Sequence, residues 1–155
     1  MFECFLPISK VKSTVMKEHF MNSISALAHY GQIKNDSQTT YASPHQLMLM
    51  LFDGAIEAMS ITVGAIQNKN FELRSKQNTR SITIINGMRE CLDMETGGEL
   101  ANNLYSLYQY MAQELFRANF KNDVDTIQNI QTMLKDIRGS WEKIPLDMHY
   151  MQKVN

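Results

Sequence analysis

At 155 residues, 44% of them hydrophobic, the chain has the size of one domain and enough apolar side chains for a substantial core. A net charge of −1, with no block of lysine or arginine, excludes the electrostatic footprint of a nucleic-acid binder. The two cysteines, Cys4 and Cys91, stand far apart in no paired spacing, which excludes a disulfide framework and suits a reducing cytosol.

In chain order, Met1–Leu6 is short and apolar, but Glu3 precedes any basic residue and no long apolar run follows, so no secretory signal is predicted. Between Met21 and Tyr41, Ile24, Leu27 and Tyr30 suit a short helix, and Asn35–Thr40 reads as a polar link. The first long helix is predicted from Pro44 to about Gln67, ending at Asn68-Lys69-Asn70. Ser43 and Gln46 have the spacing of a capping box, and Pro44 occupies the first helical position, where its missing N–H costs nothing. From Leu47 to Ile66 the only charges are Asp53 and Glu57. A surface helix would be polar over half its circumference, so this one is central, membrane-inserted or covered by a partner. Two mid-span carboxylates, each costing roughly 2.5–3.5 kcal/mol near a bilayer centre, argue against insertion.

The second helix begins at Phe71 behind an Asn70 cap, with Ile82, Ile85, Met88 and Leu92 at helical spacing. Asp93 to Gly98 is predicted to break the chain, with Thr96-Gly-Gly-Glu99 as a second capping box. The third helix carries two apolar stripes. One is Leu100, Leu104, Leu107, Met111, Leu115 and Ala118; the other is Ala101, Tyr105, Tyr108, Ala112 and Phe116. One stripe is enough to pack a helix, so the second implies a central position or a site for another helix. Asn122-Asp123 starts the fourth helix, whose single stripe is Val124, Ile127, Ile130, Leu134, Ile137 and Trp141. Connections this short force successive helices antiparallel. The fold class is therefore all-α: an up-down-up-down four-helix bundle over 43–143, preceded by an N-terminal segment over 21–42 with a short helix, and followed by a tail over 144–155.

Helical bundles host di-iron sites, but these need Glu-x-x-His pairs, and no glutamate here is followed by histidine at that spacing. His45 falls in a first turn, and His19, His29 and His149 fall in terminal segments, outside every core stripe. No metal or other cofactor is predicted; a cofactor-binding bundle with a redox role is the competing reading, tested by visible absorbance. Asp53 and Glu57 share a helix face, but with no nucleophile or phosphate loop beside them Asp53 is expected to bond within the bundle and Glu57 to face solvent. Gly97-Gly98 lacks the further glycines and lysine of a phosphate-binding loop. No enzyme activity is predicted. The surplus apolar perimeter of the first and third helices instead suits an amphipathic helix from a partner or cover by the chain's own helix around Ile24–Tyr30, and twelve methionines suit adaptable core filling first and a surface that repacks around a partner second.

The runs ASPHQLMLMLFDGA, GGELANNLYSLYQYM and RANFKND, in this order, resemble the FliS family of flagellar secretion chaperones, over about Met21 to Trp141. The resemblance implies a cytosolic chaperone that binds the disordered C-terminal region of flagellin, prevents premature polymerisation and delivers it to the flagellar type III export gate. It also implies contacts with flagellar regulators such as the anti-sigma factor. Carried over by position, Tyr30 and Ile33, within His29-Tyr30-Gly31-Gln32-Ile33, fall in the flagellin-binding set. So do Leu47, Met50 and Leu51, within Ser43–Ala55, and Ala101, Leu104 and Tyr108, within Gly97–Met111. Sequence does not divide those last six between core and groove. Met1–Phe20 resembles nothing in the family, and Met21 is the expected native start.

Overall fold

A computed structural model describes residues 44–145. The capping box at Ser43 and the short helix predicted around Ile24–Tyr30 lie outside the described residues. Four helices follow one another: α1 (Pro44–Gln67), α2 (Phe71–Glu90), α3 (Met94–Lys121) and α4 (Val124–Glu142). Their 19 to 28 residues correspond to about 28–42 Å. Each packs on its neighbours in the chain, and α4 returns to close against α1.

Side-chain bonds fix the antiparallel register. Along α1 and α4, Asp53 pairs with Arg138 and Ile56 with Gln131, so residue numbers rise on one helix as they fall on the other. Between α2 and α3 the pairs are Arg74 with Asn122, Asn78 with Leu115, and Arg89 with Tyr105. Between α1 and α2, Glu57 meets Arg80 at 3.5 Å.

The helix ends are written by local chemistry. Asn70 accepts from the N–H of Leu73 and opens α2 as predicted. Asp123 accepts from the N–H and hydroxyl of Thr126 and opens α4. Asn122 just before it is left-handed (φ 52°) and closes α3, a conformation asparagine tolerates better than most residues. The start of α3 corrects the sequence reading. Asp93, not Thr96, is its cap, accepting from the N–H groups of Glu95 and Thr96. The helix therefore begins before the two glycines, and the break is a kink at Gly98 (φ 50°, ψ −132°), a backbone region open essentially to glycine. An aspartate with a free first turn after it outcompetes a threonine whose own N–H is already engaged.

The core is built from one face of each helix: Phe52, Ala55 and Met59 of α1, Ile85 and Met88 of α2, Met111 and Leu115 of α3, Ile127 and Leu134 of α4, all fully buried. Helix α1 is long and apolar enough to cross a membrane by length and composition, yet this face of it forms the centre of the bundle. Where α1 begins and α4 ends, His45 and Trp141 clasp each other. The Trp141 indole N–H donates to the His45 carbonyl at 3.1 Å, the His45 Nε2 donates to the Trp141 carbonyl at 2.8 Å, and the rings stack at 5.5 Å. Both are buried, so this exchange satisfies polar groups that would otherwise be costly in the core.

Candidate functional site

The third helix sorts its two stripes. From the first, Met111, Leu115 and Ala118 are buried, Leu104 and Leu107 are half-buried against the core, and Leu100 is exposed. From the second, Ala101, Tyr108 and Ala112 are buried, while Tyr105 and Phe116 face outward. Phe120 continues that outward line, 71% exposed, with its ring edge-on to Phe116 at 5.0 Å. Residues eleven apart are three turns on and return to nearly the same side of a helix, so Tyr105 and Phe116 share one side of α3, with Gln109 and Gln113 exposed between them. This side borders α2: the Arg89 guanidinium lies over the Tyr105 ring at 5.3 Å, and Asn122 at its far end receives a bond from Arg74. On α2 itself Phe71 stands 62% exposed beneath Arg74. These exposed aromatic rings stand near the seam of two helices, and exposed apolar patches mark interaction sites.

Of the residues named from sequence, Leu51, Ala101 and Tyr108 are buried, whereas Leu47, Met50 and Leu104 are half-buried and reachable from outside. All six lie toward the end of the bundle where α1 and α3 begin. Tyr30 and Ile33 lie outside the described residues. Sequence reasoning missed Phe71, Phe120 and Arg74. Phe120 continues the second stripe by a further four residues, a signal that was available; Phe71 sits at a helix start, where periodicity has nothing before it to measure.

Among the described residues, burial governs the two most shifted groups. Burial pushes the Cys91 thiol up to about 12, with Glu90 adding to the rise, so it stays protonated and poorly nucleophilic at neutral pH. Burial, with Cys91 contributing, likewise raises Tyr108, whose hydroxyl has no hydrogen-bond partner among the described residues. Asp53 receives two bonds from Arg138, at 2.5 and 3.3 Å, and Glu57 one from Arg80 at 3.5 Å; both carboxylates are more than half exposed, so the expected division of one into the bundle and one to solvent is not what the structure shows. Among the described residues no three histidines, cysteines or carboxylates gather where they would hold a metal.

A closed bundle with exposed aromatic rings beside a helix seam defines a class: an all-helical bundle with a surface suited to another chain. The family described as "Flagellar protein FliS" matches residues 26–147. The chain is 35% identical over 124 residues to the flagellar secretion chaperone FliS of Vibrio cholerae serotype O1, covering 80% of this chain and 91% of that one. It is 37% identical over 125 residues to the FliS of Salmonella typhimurium, covering 80% and 93%, and 34% identical over 124 residues to FliSB of Pseudomonas aeruginosa, covering 80% and 98%. The chain belongs to the FliS family, whose named relatives are flagellar secretion chaperones.

Proposed function

We propose that this chain is a cytosolic chaperone that binds the disordered C-terminal segment of flagellin, keeps it from polymerising and hands it to the flagellar export gate. The observation that carries the reading is the exposed line Tyr105, Phe116 and Phe120 beside α2, in a chain of this family. A flagellin segment that folds as it binds would cover these rings, offsetting an ordering cost of roughly 2–5 kcal/mol or more with apolar burial. Wrapping further round the bundle, it would meet Leu47, Met50 and Leu104, which are accessible in part, and Tyr30 and Ile33 of the preceding segment. Leu51, Ala101 and Tyr108 would then shape the floor of the groove from below. Holding flagellin is mass action: while the segment is on the chaperone it is withheld from filament contacts. The same surface gives flagellar regulators such as an anti-sigma factor a place to compete.

The test is isothermal titration of the chain with a peptide of the C-terminal region of its own organism's flagellin. Saturable one-to-one binding with a negative heat-capacity change is expected. No binding to the full-length chain, nor to one lacking residues 1–20, would overturn the partner.

A further inference from the structure

The described residues include five arginines, and they divide cleanly. Arg80, Arg117 and Arg138 each pair with a carboxylate. Arg74 and Arg89 pair with none among the described residues, although the chain carries 16 carboxylates against 15 lysines and arginines. Both stand on α2 at the α3 seam, and each lies over an aromatic ring that faces solvent: Arg74 over Phe71 at 5.2 Å, Arg89 over Tyr105 at 5.3 Å. In each the Nε–H is buried with no acceptor among the described residues, and Arg74 donates from a terminal nitrogen to Asn122. A guanidinium without a carboxylate can take an incoming anion through charge-assisted hydrogen bonds from its terminal nitrogens.

We propose that Arg74 and Arg89 are charge readers that set the register of a bound amphipathic helix carrying two carboxylates about four turns apart. From residue 74 to residue 89 the rise along α2 is about 22 Å, and four turns of a partner helix laid along the seam span the same distance. Phe116 and Phe120 stand exposed toward the Arg74 end of the seam, where apolar side chains of the partner would cover them. Two isolated arginines this far apart, in a chain of net charge −1, make a poor track for a phosphate backbone and a good one for two separate carboxylates. The inference rests on the proposed binding of a flagellin segment and specifies which part of such a segment the seam selects.

The full chain and its Arg74→Gln, Arg89→Gln and doubly substituted variants are titrated with the C-terminal flagellin segment at low and high salt, with circular dichroism as the fold control. Each single change is expected to weaken binding about five- to tenfold, and the double change should remove most of the salt dependence. Variants that bind as tightly as the unaltered chain overturn the inference. Should a variant lose helicity, the changes move to the ligand: flagellin glutamates and aspartates are replaced by their amides, and an affinity unmoved by every replacement overturns it equally. Should the unaltered chain leave flagellin unbound, the proposed partner falls, and a model amphipathic helix with glutamates fourteen residues apart decides the rest. Tighter binding of that peptide than of its glutamine counterpart sustains the two arginines as readers; equal binding, or none, sinks them.

Discussion

Asp123 carries more than its place between two helices suggests. It accepts the backbone and side-chain donors of Thr126, and these bonds, the backbone one foremost, hold its carboxyl below the usual aspartate range. A carboxylate held low in the folded state adds stability that is present above its unfolded pKa and is lost as pH falls through the folded one. Asp123→Asn keeps a competent cap, since asparagine accepts the same bond, but removes the titration. The urea midpoint of the unaltered chain is therefore expected to fall more steeply between pH 4.5 and pH 2 than that of Asp123→Asn (about the range where aspartate titrates). Parallel curves would show that the cap does not titrate as argued. Tyr108 illustrates the opposite case at the same scale: its buried hydroxyl finds no partner among the described residues, so its ring, not its oxygen, holds its place in the core.

Among the elements, α3 is the one whose geometry hangs on a single residue. Gly98 sits at φ 50°, with open space where a Cβ would be, so a side chain there would be opposed by backbone conformation alone. Gly98→Ala is expected to destabilise the fold by about 1–3 kcal/mol. Gly139, within α4 and also facing open space, is the control: Gly139→Ala should stabilise by about 0.5–1 kcal/mol, because alanine loses less backbone entropy in a helix. Chemical denaturation of both variants checks the pair; equal effects would mean that the kink is not held by its glycine. The kink matters because it lets the Asp93-capped first turn begin early while the rest of α3 keeps its aromatic line along α2.

For the molecule as a whole, core and binding surface are separable although they share one helix. Phe116 and Phe120 are 58% and 71% exposed, so replacing both with serine removes little buried area and mainly their mutual edge-to-face contact, about 0.5–1.5 kcal/mol. The urea midpoint should thus move only slightly. Affinity for the flagellin segment should fall at least about tenfold, since aromatics anchor interfaces of this kind. Unchanged affinity in a folded variant would take the α3 line out of the site and leave Leu47, Met50 and Leu104 to carry it.

The sequence by itself determined the four helices, their order and their antiparallel sense, because apolar periodicity and capping residues are local signals and short links leave no other topology. Pro44–Gln67 and Phe71 as helix boundaries were legible for that reason. The family was legible too, from three long runs of residues. Only the tertiary structure decided which side of each stripe is closed. Tyr105 and Tyr108 share a stripe in the sequence, yet α2 and the core cover one and leave the other 39% exposed. Periodicity reports the direction of a side chain from its own helix axis, whereas burial depends on where the neighbouring helices stand. The same reason hid Arg74 and Arg89: a charge on a helix reads as solvated until its neighbours show that no carboxylate among the described residues is within reach.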